Sequence, residues 1–358
     1  MRIVATDRAE PGMRLGKSIY GPDGKLLLGI GIELTDYYIQ RLLDLGVFMI
    51  YVDDPLTRDV ELEPVIDEET RQKAVNAVRK ALLLASGMLR DRRGVLEASG
   101  LIEAVDMIAD ELTTKRRTLV SVLDLKCYNS YTYEHSVNCC VLGLIVGINR
   151  GYDEFKLRNL GLGLLLHDIG KMLVPNEILN KPGTLDPIEF KQVMAHPQNG
   201  YRLLTYDDSI PPVARIICLQ HHERCDGSGY PRNLAGDSIH EFSKIAAAID
   251  VYDALTSDRV YRRAYRPHQA VAYMRAQSNL RFDHQTVQGL LKHIAPYPIG
   301  TTVRLTTGDQ AVVIAINERI PDRPTVRLSQ DESGRDIESI QDIDLGRELG
   351  VDILEVVS

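Results

Sequence analysis

Nine histidines occur in the 358 residues, and His135, His167, His196, His221 and His222 each stand in a distinctive context. His135 lies in YTYEHS, at the start of an apolar helical stretch. His167 is followed by Asp168 in LLLHDIGK. His196 opens HPQNG, His221 and His222 are adjacent in QHHERCDGSGYP, and Asp253 follows in IDVYDALTSDR. Imidazoles and carboxylates without thiolates suit borderline divalent ions such as iron, manganese, nickel, cobalt or zinc. Together these groups are too many for one tetrahedral zinc and match a two-metal site sharing a bridging carboxylate. Adjacent helical residues point about 100° apart. His167 and Asp168 therefore do not cap one ion side by side; Asp168 bridging two ions, with His167 on one of them, resolves the geometry. His221 and His222 present two ligands only at a helix end or on strained backbone, which suits their place before a glycine-rich loop. His240, His268, His284 and His293 lack such contexts and read as ordinary hydrogen-bonded side chains.

The ordered series resembles the HD-GYP family, a branch of the HD superfamily of metal-dependent phosphohydrolases. HDIGK supplies the HD, and Gly229-Tyr230-Pro231 the GYP. IAAAIDVYDALTSDRVYRRA also fits, with Val260 where the family usually has proline. The resemblance spans roughly residues 120–295. It implies hydrolysis of cyclic di-GMP, a bacterial second messenger, to linear pGpG and often onward to GMP, with a hydroxide between two ions as nucleophile. By the same resemblance, one ion takes His135, His167 and Asp253, the other takes His196, His221 and His222, and Asp168 bridges. Iron or manganese is expected foremost, with nickel, cobalt or zinc compatible with the donors. Some members hold a third ion with a Glu one turn before the first histidine. That place is Tyr131 here, and Glu134 is adjacent to His135 and faces another way, so two ions are expected.

Lys171 lies one turn after His167 and can reach the scissile phosphoryl oxygen as a catalytic group beside Asp168. Arg262 matches a phosphate-contacting arginine of the family, suited to bidentate engagement. Tyr230 is read as orienting substrate or closing its loop. Cys225 stands where an aromatic is common and reads as an inert thiol. Three other functions compete. A non-catalytic cyclic-dinucleotide sensor would be favoured by lost ligands, and none is lost. A general HD nucleotidase lacks the GYP segment. A phosphodiesterase for another cyclic dinucleotide, such as the mixed GMP-AMP molecule, differs only in base readout, which the residues do not spell out.

Composition limits what surrounds this site. Lys plus Arg is 42 and Asp plus Glu is 50, a formal charge of -8. That argues against a sequence-independent binder of duplex nucleic acid, while one basic pocket can still take a small anion. Hydrophobic residues at 44% and charged residues at 26% describe a folded chain. The longest uncharged apolar stretch, Cys139 to Ile148, is far short of the roughly 20 residues of a spanning helix. MRIVATDRAEPG has charges where a signal peptide needs an apolar core. Cys127, Cys139, Cys140, Cys218 and Cys225 form no CxxC and read as reduced thiols, so a cytoplasmic protein without membrane contact is expected.

The elements that must position the site are mainly helical. Residues 1–53 read as a small α+β domain, with strands at Ile3–Ala5, Ser18–Tyr20, Lys25–Leu28 and Val47–Val52 and a helix capped by Thr35. So thin a core should lean on a neighbour. Residues 54–120 read as an acidic linker and helical connector, 121–295 as a helical bundle of HD type carrying the catalytic groups, and 296–358 as a small β module with strands at Val303–Leu305, Ala311–Ile316 and Thr325–Leu328. The apolar stripe of residues 67–120, including Leu82-Leu83-Leu84 and Met88-Leu89, points to a homodimer built through those helices.

Overall fold

The two ends of the chain carry the strands and its middle carries the helices. The computed structural model describes residues 1–21, 25–60, 64–91, 96, 98–115, 131–179, 181, 183–257, 264–337 and 339–357. They divide into two compact units: one gathers Met1–Val65 and Ile294–Ser358, the other holds Ile66–Thr118 and Tyr131–His293.

In the first unit β1 (Arg2–Ala5) pairs antiparallel with β4 (Met49–Val52), and β2 (Ile19–Tyr20) pairs with β3 (Leu26–Leu28). Helix α1 (Asp36–Asp44) lies between them in sequence. Its start is fixed by the Thr35 hydroxyl, which accepts the Tyr38 N–H at 3.3 Å. Leu15, Leu34, Leu42, Val47 and Val52 make a small core. The chain's other end supplies β5 (Thr302–Leu305), β6 (Gln310–Ala315), β7 (Thr325–Gln330), β8 (Asp342–Asp344) and β9 (Ile353–Val356). They form one antiparallel sheet in the order β8-β7-β6-β5-β9 around Val303, Leu305, Val313 and Val326. The two edge strands have no counterpart in the sequence reading. β8 is two aspartates around one isoleucine and offers no apolar run, whereas β9 reads ILEV, three apolar residues in four that the sequence reading passes over. The thin N-terminal core does lean on a neighbour, and that neighbour includes this sheet: the Ile3 N–H donates to the Gly300 carbonyl at 2.8 Å and Arg8 to the Val357 carbonyl at 3.0 Å.

The second unit is helical: α2 (Glu68–Asp91), α3 (Ala98–Lys115), α4 (Tyr131–Asn149), α5 (Glu154–Leu166), α6 (Asn176–Leu179), α7 (Pro187–Met194), α8 (His196–Leu204), α9 (Pro212–Gln220), α10 (Glu241–Thr256), α11 (Pro267–Gln277) and α12 (His284–Leu291). α4 packs on α5 and α10, and α9 packs on α5 and α8. α2 and α3 cover this centre, burying Ala81, Leu82, Ala85, Leu101, Val105 and Ile108. Of the residues that prompted the dimer reading, Leu82 is buried within the chain and Leu84 is half-buried. Leu83 stays exposed, and the side chains of Met88 and Leu89 lie outside the described residues. Among the described residues, no helix is long and apolar enough to cross a membrane.

Candidate metal centre

Four helix ends and one helix flank converge in the second unit. α5 stops at Leu166, His167 is its C-cap, and Asp168 has bridge-region backbone (φ -98°, ψ 6°) leading into the 3-10 turn Ile169–Leu173. The helical constraint that separates neighbouring side chains by about 100° is therefore released at this pair. A Cβ on Gly170 would stand 1.9 Å from the His196 carbonyl oxygen and 2.6 Å from the Gly200 nitrogen. The glycine of HDIGK thereby lets that turn lie backbone to backbone on α8, whose first residue is His196. α9 ends at Gln220, and His221 and His222 follow at the helix end. Gly229 serves the same purpose on that side: a Cβ there would meet the Arg224 nitrogen at 2.4 Å and the His222 carbonyl at 2.5 Å. His135 comes from the first turns of α4, and α10 brings in Asp250 and Asp253 one turn apart.

The side chains form two linked groups. Nε2 of His196 and Nε2 of His221 are 3.1 Å apart, and Nε2 of His135 and Nε2 of His167 are 3.2 Å apart. Asp168 lies between the groups. Its Oδ1 faces His196 at 3.3 Å and His221 at 3.7 Å, while its Oδ2 faces His167 at 3.5 Å and His135 at 3.8 Å. Asp250 makes a second link, with Oδ1 3.2 Å from His135 Nε2 and Oδ2 3.6 Å from His222 Nδ1. The His222 ring stacks on Tyr230 with centroids 4.6 Å apart. Lys171 places Nζ 2.5 Å from Asp168 Oδ2.

The protonation pattern fits a cation. Nδ1 of His167, His196 and His221 each faces a backbone carbonyl, of Leu164, Val193 and Cys218, at 2.7 to 2.8 Å. A carbonyl only accepts, so Nδ1 carries the proton and Nε2 keeps its lone pair. Burial lowers the pKa of His167 to about 4 and lowers those of His221 and His222, so these rings are neutral near pH 7. Paired lone pairs 3.1 and 3.2 Å apart repel unless a positive ion lies between them. Two imidazole nitrogens each about 2.1 Å from one divalent ion stand roughly 3 to 3.5 Å apart. Asp168 Oδ1 is buried and accepts no hydrogen bond. Burial pushes the Asp168 carboxyl up, but the Lys171 ammonium and the neighbouring imidazoles outweigh it and hold the group well below the usual carboxylate range. The donors thus match a divalent-metal centre of nitrogen and oxygen ligands.

Of the residues singled out from sequence, the structure brings together His135, His167, Asp168, His196, His221 and His222. Asp253 is a correction to the expected ligand set. Its Oδ2 lies 2.7 Å from Nδ1 of His135, on the ring edge opposite the cluster, and Asp250 takes the inward place. The two aspartates are three residues apart on one helix face, so the pattern IDVYD does not distinguish them. Cys139 Sγ is 3.7 Å from that same outer nitrogen, and burial pushes its thiol up to about 12, so it packs as a neutral group. Arg262 and the side chain of Tyr131 lie outside the described residues. Glu223 was not anticipated. It is buried, and its carboxylate accepts the N–H groups of Arg232 at 2.8 Å and Leu234 at 2.9 Å, which ties down the loop bearing Tyr230. Its only signal in the sequence is an acid directly after the histidine pair.

Residues 133–286 match the HD domain family, and residues 302–358 match a KOW domain associated with HD domains. Over 284 residues, 79% of this chain and 68% of the relative, the sequence is 37% identical to cyclic di-GMP phosphodiesterase PA4108 of Pseudomonas aeruginosa. It is 40% identical over 149 residues to cyclic di-GMP phosphodiesterase response regulator RpfG of Xanthomonas campestris, covering 41% of this chain and 39% of that protein. It is also 39% identical over 129 residues to 3'3'-cGAMP-specific phosphodiesterase 2 of Vibrio cholerae, covering 36% and 25%. The helical fold and the ordered histidine and aspartate site place the protein among HD-domain enzymes. With the GYP loop and the long match to PA4108, the chain belongs to the HD-GYP family of phosphodiesterases.

Proposed function

We propose that this enzyme hydrolyses cyclic di-GMP to linear pGpG and on to GMP, using two divalent ions, iron or manganese foremost. His135, His167, His196, His221, His222, Asp168 and Asp250 would hold them, with Asp168 shared. The observation that carries the reading is the division of the Asp168 carboxylate, one oxygen toward each histidine pair. The names of PA4108 and RpfG support the substrate. Bound divalent ions supply a hydroxide-like nucleophile at neutral pH and offset charge on phosphate oxygens. Water adds across one phosphodiester bond: its oxygen ends on phosphorus, the bond to the sugar oxygen breaks, and a proton ends on the released hydroxyl. Lys171, partly exposed at the cluster's edge, meets the phosphoryl oxygen as its charge rises. Tyr230, stacked on His222 and carried by the loop that Glu223 pins, closes one wall against the substrate.

The test is metal counting on protein purified without oxygen, with product analysis on cyclic di-GMP and 3'3'-cGAMP side by side. Two ions per chain and faster turnover of cyclic di-GMP are expected. Faster turnover of 3'3'-cGAMP would reassign the substrate. Tight binding of either dinucleotide without turnover by fully loaded protein would replace the enzyme reading with a sensor.

A further inference from the structure

A buried chain of side chains runs from α2 to His135. Arg71, in the first turns of α2, is 2% exposed. Its Nη1 donates to Asn138 Oδ1 at 3.0 Å, Asn138 Nδ2 donates to Asp253 Oδ1 at 3.3 Å, and Asp253 Oδ2 accepts from His135 Nδ1 at 2.7 Å. Ser257 adds a hydroxyl 3.4 Å from Asp253 Oδ2. Each link has a direction. A guanidinium only donates, so the oxygen of the Asn138 amide must face Arg71 and its NH2 must face Asp253. His135 stands between two carboxylates, and Asp253 makes the shorter contact, 2.7 Å at Nδ1 against 3.2 Å for Asp250 at Nε2. That favours the proton on Nδ1 and leaves Nε2 to face an ion beside Asp250 and His167. With Arg71 gone, Asn138 Oδ1 loses its buried donor and only Asp253 still orients the amide, so the chain is held at one end instead of two.

We infer that Arg71 is a positioning residue for the metal centre, acting through Asn138 and Asp253 to fix the tautomer and orientation of His135. The inference rests on His135 being a ligand. Joining α2 to α4 alone would need only apolar contact, and burying a cation for that purpose is costly. Arg71 is itself held in place. The Asp67 N–H donates to Glu111 at 2.6 Å, and the Lys115 ammonium bridges Asp67 and Glu111 at 2.9 and 2.6 Å, tying the start of α2 to the end of α3.

The experiment titrates Mn2+ into metal-stripped protein and counts free ion by electron paramagnetic resonance. Outer partners of metal-bound histidines typically contribute 10–100-fold in metal affinity. Arg71→Met should weaken one Mn2+ site by roughly tenfold and leave the other unchanged. Arg71→Lys should recover most of the affinity, because an ammonium still donates to Asn138 Oδ1. The double variant Arg71→Met/Asn138→Leu removes both polar partners together, which protects folding, and should match the single variant because both act on one path. His135→Ala is the control. If it loses a Mn2+ site while Arg71→Met and the double variant keep wild-type affinity, the relay is overturned and the ligand assignment stands. If His135→Ala binds Mn2+ like wild type, the ligand assignment itself falls.

Discussion

Each unit buries a strongly polar cluster, and the two clusters are built on opposite terms. In the strand-bearing unit, Arg327 is 5% exposed and all its donors are used: Nε and Nη2 meet the Asp342 carboxylate at 2.7 and 3.0 Å, Nη1 and Nη2 meet Asp59 at 2.7 and 3.0 Å, and Nη1 also reaches the Leu56 carbonyl at 2.7 Å. Those hydrogen bonds push the guanidinium's pKa further up and close the network on itself. In the helical unit, acceptors face acceptors. Lone pairs of paired imidazoles stand 3.1 and 3.2 Å apart, and the Asp168 oxygen facing His196 and His221 accepts no hydrogen bond. A satisfied cluster joins parts of a fold, whereas an unsatisfied one of this composition waits for a cation. Burial alone does not separate the two; the donor and acceptor count does.

The sharpest way to break this contrast is to remove its central carboxylate. Asp168→Ala should abolish phosphodiesterase activity and lose most metal, because one side chain serves both histidine groups. Lys171→Ala should keep its metal and lose about 2–4 kcal/mol of transition-state stabilisation in kcat/KM, as when an oxyanion donor is removed. Equal metal content in the two variants would contradict these roles. A smaller effect separates the two aspartates of α10. Asp250→Asn should lower metal content more than Asp253→Asn, whose loss should stay within the roughly 10–100-fold typical of an outer partner; the reverse order by metal analysis would restore Asp253 to the inner position.

On the other side of the comparison, Arg327→Met should lower Tm by roughly 5 °C and leave metal content untouched, read by calorimetry and metal analysis on one preparation. Loss of metal in that variant would erase the distinction. The last test is the pH response of metal-stripped protein. His167 has a folded pKa of about 4 against an ordinary 6.5. Between those values the unfolded chain binds more protons, so the contribution to stability is full above about 6.5 and is lost as pH falls toward 4. Tm of the stripped protein should therefore drop across that window, and a flat profile would show that His167 is not buried as a neutral ring.

Much of the site was legible because its donors are chemically distinctive and each carries its own short motif. HDIGK even encodes its packing, since only glycine fits where Gly170 meets α8. What could not be read is which of two like groups faces inward. Asp250 and Asp253 share a helix face, and helix rotation against α4 decides between them. Arg71 was equally hidden, since a cation in an amphipathic helix normally faces water. In the sheet, three strands were legible from their apolar β-type runs; edge strand β8 is too polar to signal itself, and edge strand β9, apolar in three of its four residues, is missing from the sequence reading. That both ends of the chain share one unit depends on contacts between residues some 300 apart, which local patterns do not carry.

The backbone contact at Gly170 bears on when the centre is assembled. HDIGK and the start of α8 lie against each other through main-chain atoms, with no side chain between them to repack. Asp168 and His196 are therefore placed by the same event that forms the helical core, and the loss of their conformational freedom is met during folding. An arriving ion then orders little more of the protein, unlike the small zinc modules that fold only around their metal. The fold should outlast its cofactor, leaving a chain that can lose and regain ions without passing through an unfolded state.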